Sequence, residues 1–157
     1  MKEKIAILKS EVAANYKRIK RLFDKFDKAY KGYLTSKEYS KLVESAFYVS
    51  QTYSGFENIF QSIARTFENS VEQDFWHKSI LERMSLDIED IRPALISEGS
   101  FKCLNELRAF RHFFRHAYDS DIDRDKFKII AKNVVNLRGL FEKDLKHFLK
   151  FLDSLLT

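Results

Sequence analysis

Long stretches of this chain repeat apolar residues at intervals of three and four positions, with very little to interrupt them. Only four glycines and one proline occur in 157 residues. Apolar residues with this spacing fall on one face of an α-helix, and a chain so poor in turn-forming residues favours helices over sheets. The pattern predicts an all-α protein, an up-and-down bundle of four to five helices.

The periodic stretches locate the helices along the chain. They cover residues 3–30, 39–67, 73–84, a central segment that begins at Ser97, and a last segment capped by Asp121 or Asp123. A break at residues 31–34, followed by Thr35 and Glu38 as a capping box, is expected between the first two helices. The second helix is expected to continue past Gly55, with or without a kink.

Composition limits the class of protein further. The length suits a single domain over residues 1–157 with a substantial core. Cys103 is the only cysteine, which excludes an internal disulfide and predicts a cytoplasmic location. The charged N-terminal segment lacks the apolar core of a signal peptide, and no apolar run reaches the length of a membrane span. The net charge of +5 permits a polyanionic partner without requiring one.

The central segment carries an unusual polar face. Between Leu107 and Tyr118 there is no acidic residue, whereas the exposed face of an amphipathic helix normally mixes both charges. On a helical wheel the cationic side chains are expected together on the solvent side, with Tyr118 at the edge. They are Arg108, Arg111, His112, Arg115 and His116. The sequence therefore predicts a cationic, titratable strip, which we call the cationic strip.

The spacing Arg111-x4-His116-x-Tyr118 resembles the R-x4-H-x-Y motif of HepT-type proteins. These proteins are a branch of the HEPN superfamily (higher eukaryotes and prokaryotes nucleotide-binding). Phe75-Trp76-His77 upstream and Arg92-Pro93 in the following connection are also similar to a HepT-like group. The resemblance covers roughly residues 75–152 and implies a HEPN-like helical bundle.

The resemblance implies a metal-independent RNase, the toxin of a toxin–antitoxin pair, that works as a homodimer with Arg111 and His116 as catalytic residues in the dimer cleft. A histidine can exchange a proton near neutral pH, and an arginine can stabilise charge that develops on a phosphate. The two lie about 140° apart on the helical wheel, so they do not share one face. Arg108, His112 and Arg115 are the expected RNA-phosphate contacts, and His77 is a possible residue of the cleft.

The same resemblance implies how the toxin is neutralised. A partner nucleotidyltransferase of the MntA type would adenylylate Tyr118 and so place an anionic nucleotide beside the cationic strip. No cofactor is expected. No Asp, Glu and His cluster in the sequence suggests a metal site, and no membrane partner is expected.

Two other interpretations remain at this stage. The chain could be a catalytically silent subunit that binds nucleotide or substrate for a nucleotidyltransferase. It could also be a structural coiled-coil protein, but the titratable strip argues against that class. A test of RNA cleavage distinguishes the RNase from the catalytically silent subunit.

Overall fold

A computed structural model describes residues 1–68 and 76–157, with side chains for 1–68 and 79–157. Five helices occur in these ranges, so the all-α prediction is confirmed. They are α1 (Lys2–Ser36), α2 (Tyr39–Glu68), α3 (Trp76–Met84), α4 (Glu98–His116) and α5 (Arg124–Leu156). Helix α1 packs along α2, α4 packs along α5, and the α2–α4 and α1–α5 contacts close the four long helices into a bundle. The short helix α3 packs against α2 and α4.

Large aromatic side chains fill the core where these helices meet. Phe56 of α2 and Phe141 of α5 meet edge to face with ring centroids 4.7 Å apart, a preferred aromatic geometry. Tyr16 of α1 also contacts Phe141, with ring centroids 5.7 Å apart. Burial of such rings provides most of the driving force for the packing of the helices.

Gly55 explains how closely α1 and α2 approach each other. A Cβ atom at this position would lie 2.8 Å from Cγ1 of Ile19, which is closer than van der Waals contact allows. Helix α2 runs through Gly55 without a break. The glycine therefore serves helix packing and does not end the helix.

The predicted break after the first helix is wrong. Helix α1 continues to Ser36 and ends only where Lys37 takes a left-handed conformation with φ 59°. The Thr35 hydroxyl donates to the carbonyl of Lys31 in its own helix and forms no capping box with Glu38. Tyr33 is buried and its hydroxyl accepts from NH1 of Arg124 in α5 at 3.1 Å, so tertiary packing overrides the low helix propensity of the preceding glycine.

The connection between α3 and α4, residues 85–96, is irregular as predicted, and Arg92 fixes it in place. The Arg92 side chain is fully buried and its NH2 lies 2.6 Å from Oε1 of Glu68 at the end of α2. It also donates to the carbonyls of Arg83 and Leu86. A buried arginine needs such partners, and these tie α2, α3 and the connection to one another.

Candidate functional site

Helix α4 is held at its N-terminus by polar contacts with α5. Ser97 is its N-cap, as predicted, and its hydroxyl accepts from the backbone N–H of Ser100. Asp144 of α5 accepts hydrogen bonds from the Ser97 backbone N–H at 2.9 Å and from the Ser100 hydroxyl at 2.5 Å. The helix dipole also favours a negatively charged carboxylate at the N-terminus of a helix. These contacts fix the start of the helix that carries the motif.

The other end of α4 lies at the motif. Helix α4 stops at His116, Ala117 is extended, and Asp123 caps α5 by accepting from the Lys126 N–H at 2.9 Å. The connection 117–123 therefore emerges directly from the motif. Arg115 and His116 occupy the last turn, where the helix dipole favours positive charge.

Arg111 lies inside the protein, so its expected position on the solvent side is wrong. It is only 4% exposed. Its NH1 donates to Oε1 of Glu57 at 2.6 Å and to the Ser54 hydroxyl at 3.2 Å, both on α2. Its guanidinium also lies 4.6 Å from the centre of the Tyr53 ring. Helix α2 thus provides a carboxylate, a hydroxyl and an aromatic face for this side chain, none of which a wheel of α4 alone can show.

Tyr53 forms the inner wall of this arrangement. It is fully buried, and its hydroxyl has no hydrogen-bond partner among the described residues. Burial raises the pKa of the Tyr53 hydroxyl, with a further increase from the Glu57 carboxylate. The phenol therefore stays neutral at physiological pH, beside the charged side chains of Arg111 and Glu57.

His112 and His116 are exposed, as expected, and lie one above the other at the end of α4. Their ring centroids are 4.3 Å apart. Nδ1 of His116 lies 2.8 Å from the carbonyl oxygen of His112. Because a carbonyl oxygen can only accept, Nδ1 carries a proton in this contact, and Nε2 is the atom left to exchange a proton with a ligand. The geometry suits a histidine that acts in proton transfer.

Two further arginines of the strip differ in their surroundings. Arg115 is exposed and its NH2 lies 3.2 Å from the Ser54 hydroxyl, the same oxygen that Arg111 contacts. Arg108 is half-buried and donates from Nε and NH2 to Oδ1 of Asn105, at 3.1 and 3.0 Å. Ser54 therefore joins the buried arginine to the exposed one.

The remaining predicted residues lie in different places. Tyr118 follows the end of α4 and is wholly exposed, which confirms that its hydroxyl is accessible. The side chain of His77 lies outside the described residues, so its place in a cleft stays a prediction.

Among the described residues no group of three His, Cys, Asp or Glu is arranged to hold a metal ion. None of the described helices combines the length and apolar character needed to cross a membrane.

Glu57, Ser54 and Tyr53 were missed by the sequence analysis. One signal was present. Glu57 falls among the apolar positions of α2, between Phe56 and Phe60, and it is buried. An acid in that register requires a cationic partner, and Arg111 lies in a stretch, residues 107–118, that contains arginines and no acid of its own.

Comparison with known proteins gives one family match. A family model described as HepT-like protein matches residues 45–152, which is more than half of the chain. The match starts in α2, before the residues that contact Arg111, and extends well upstream of the residues 75–152 that carried the resemblance. Searches of curated proteins and of solved structures found no match. The extent of the family match leads to one conclusion: the chain belongs to the HepT-like protein family.

Proposed function

We propose that this protein is a metal-independent endoribonuclease, the toxin of a toxin–antitoxin pair, that acts as a homodimer. The observation that carries the proposal is the state of His116. Its imidazole is exposed, its Nδ1 is held by the His112 carbonyl, and cationic side chains adjoin it with no acid between Leu107 and Tyr118. A proton-transfer group in cationic surroundings suits a polyanionic substrate.

The reaction needs only groups that the chain contains. Nε2 of His116 takes the proton of an RNA 2′-hydroxyl, and the resulting oxygen attacks the adjacent phosphorus. The bond from phosphorus to the 5′ oxygen breaks, and the leaving oxygen receives a proton, which the His116 of the second subunit supplies. The products are a 2′,3′-cyclic phosphate and a 5′-hydroxyl.

The two motif-region arginines take different roles in this proposal. Arg115 is exposed, so it contacts the phosphate and stabilises its developing charge. The resemblance implies a catalytic Arg111, but its buried ion pair with Glu57 favours a positioning role. Arg111 holds Ser54 and the α2–α4 contact, and through them the orientation of Arg115.

Neutralisation by a partner nucleotidyltransferase completes the proposal. The exposure of Tyr118 supports it, because a buried hydroxyl could not accept an AMP group. The adduct adds an anionic phosphodiester two residues beyond His116, where it would compete with RNA for the strip. Mass spectrometry of the chain co-expressed with such a partner should find AMP on Tyr118, and Tyr118→Phe should cleave RNA yet escape neutralisation. An unmodified Tyr118 in chain isolated with an active partner would leave only neutralisation by complex formation.

A second function is favoured by a different observation. The ion pair of Arg111 with Glu57 inside the protein suits a catalytically silent subunit that binds nucleotide or substrate for a nucleotidyltransferase. Such a subunit would use the cationic strip for binding alone.

Cleavage by matched histidine variants separates the two functions. Wild type is incubated with RNA and a chelator, beside His116→Ala and His147→Ala. His147 is exposed on α5, away from the motif, and serves as the control. The nuclease proposal expects wild type and His147→Ala to cleave and His116→Ala to be inactive but folded. Absence of cleavage by wild type, together with equal toxicity of His116→Ala in cells, would favour the binding subunit.

A further inference from the structure

A row of exposed apolar side chains follows α2 away from the Ser54–Arg115 contact. Tyr39, Val43 and Phe47 are spaced four residues apart, and Phe47 is 47% exposed. The Phe47 ring contacts the Tyr48 ring edge to face, with centroids 5.5 Å apart, and Phe47 is nevertheless exposed to solvent. Large apolar residues in a row on a surface helix are typical of a binding site.

Two contacts show which way this row faces. The Ser54 hydroxyl accepts from Arg115 in the last turn of α4, and the Tyr39 hydroxyl accepts from the backbone N–H of Ile122 at 2.8 Å. At 100° per residue, positions 39, 43, 47 and 54 lie within about 80° of one another on α2. Phe47 and Val43 therefore lie on the face that meets the end of α4 and the connection 117–123.

The apolar row thus begins where the cationic strip ends. Phe47 lies seven residues from Ser54, which is about 10 Å along the helix. The strip adjoins the row at the Ser54 end through Arg115, which donates to the Ser54 hydroxyl. His116 and His112 are neighbouring exposed side chains of the strip on α4. A cationic track beside an exposed aromatic ring is the arrangement with which proteins bind single-stranded nucleic acid, phosphates on the cations and bases stacked on the ring.

We infer that this face binds single-stranded RNA, with a base stacked on Phe47 and the adjoining phosphates on Arg115 and the two histidines. The inference rests on the proposed ribonuclease function and gives its substrate class. The charge of the strip favours a polyanion over an apolar protein segment as the occupant. Duplex RNA keeps its bases paired and stacked, so it can use the cations but not Phe47. Selectivity for single strands would then come from α2, a helix that does not carry the motif.

The test measures binding of fluorescein-labelled RNA by anisotropy, in the full chain with His116→Ala so that no RNA is cut. The probes are a single-stranded oligouridylate and a duplex of equal length. Phe47→Ala should weaken binding of the single strand about tenfold and leave the duplex unchanged. Ile7→Ala, a change at an exposed apolar residue of α1, should alter neither. Arg115→Gln should weaken both and reduce the salt dependence of binding by about one ion.

A second variant separates stacking from apolar contact and from loss of folding. Phe47→Leu keeps most of the apolar surface but removes the aromatic face, so it should bind the single strand as weakly as Phe47→Ala. The inference would be overturned if either Phe47 variant bound the single strand as tightly as the His116→Ala parent chain. It would also be overturned if the Phe47 variants lost as much affinity for duplex RNA as for the single strand. A dimer that Phe47→Ala converts to a monomer in light scattering would also overturn it, because a second copy of the chain would then cover this face.

The cleavage assay keeps this inference apart from the proposed nuclease. If the chain binds single strands through Phe47 but cleaves no RNA, the binding site is supported and the nuclease function is rejected. If the chain cleaves RNA but Phe47→Ala leaves binding unchanged, the nuclease function is supported and the binding site is rejected.

Discussion

Removal of the Glu57 carboxylate should strongly destabilise the protein. Both side chains of the Arg111–Glu57 pair are almost fully buried, at 5% and 7% exposure, with 2.6 Å between NH1 and Oε1. Breaking such a pair from one side typically costs about 3–5 kcal/mol, because the other charge stays buried without its counter-charge. For a protein of this length, that corresponds to a fall in Tm of roughly 10 °C. Glu57→Ala is the perturbation, and urea unfolding at fixed protein concentration is the assay.

A double variant and a surface control complete this experiment. Arg111→Met with Glu57→Leu replaces the pair by apolar side chains, and it should be much more stable than Glu57→Ala alone. Asp153 forms an ion pair with Lys9 on the surface, so Asp153→Ala should cost less than about 1 kcal/mol. A Glu57→Ala variant that loses no more stability than Asp153→Ala would refute the burial of the pair and, with it, the positioning role of Arg111.

Four further variants test helix packing, a helix cap and the role of Arg111. Gly55→Ala should cost about 1–3 kcal/mol in urea unfolding, because the new methyl group would overlap Ile19; Gly139→Ala, whose Cβ meets nothing within 4 Å, should instead stabilise α5 by about 0.5–1 kcal/mol. Asp123→Ala should cost about 1 kcal/mol through loss of the α5 N-cap, and an unchanged unfolding midpoint would contradict that cap. Arg111→Lys should lower the kcat of RNA cleavage while KM stays near the wild-type value, as expected of a positioning residue, and a rise in KM alone would assign Arg111 to substrate binding.

The sequence was sufficient to predict the helices because helix formation depends mainly on residues that are close to one another in the chain. Apolar spacing defines each helix, and the caps at Ser97 and Asp123 are short-range side-chain contacts. The first helix end was misplaced for the opposite reason. Gly32 and the Thr35–Glu38 pattern favour a break locally, whereas the burial of Tyr33 against other helices keeps the last turn helical.

The candidate site could be predicted only in part, because it is shared between two helices. His112, His116 and Tyr118 were correctly expected to be exposed, since exposure follows from the polar face of α4 or from its end. Arg111 was misplaced because its environment is made by Glu57, Ser54 and other residues of α2, more than fifty residues away in the chain. An arginine on a helical wheel is ambiguous until the facing helix is known.

The five-residue spacing of Arg111 and His116 explains why one is buried and the other exposed. Residues five apart differ by about 140° around a helix, so a helix that turns Arg111 towards α2 must turn His116 away from it. Burial of Arg111 on Glu57 thereby fixes the rotation of α4 about its own axis. A rotation by one residue, about 100°, would bring Phe110 or His112 to the position of Arg111 and break the ion pair, at a cost of several kcal/mol. The buried arginine therefore determines the direction in which His116, the proposed proton-transfer group, points. Under the proposed ribonuclease function, this positioning makes Arg111 necessary for cleavage without contact with RNA, and Arg111→Lys is therefore expected to affect kcat.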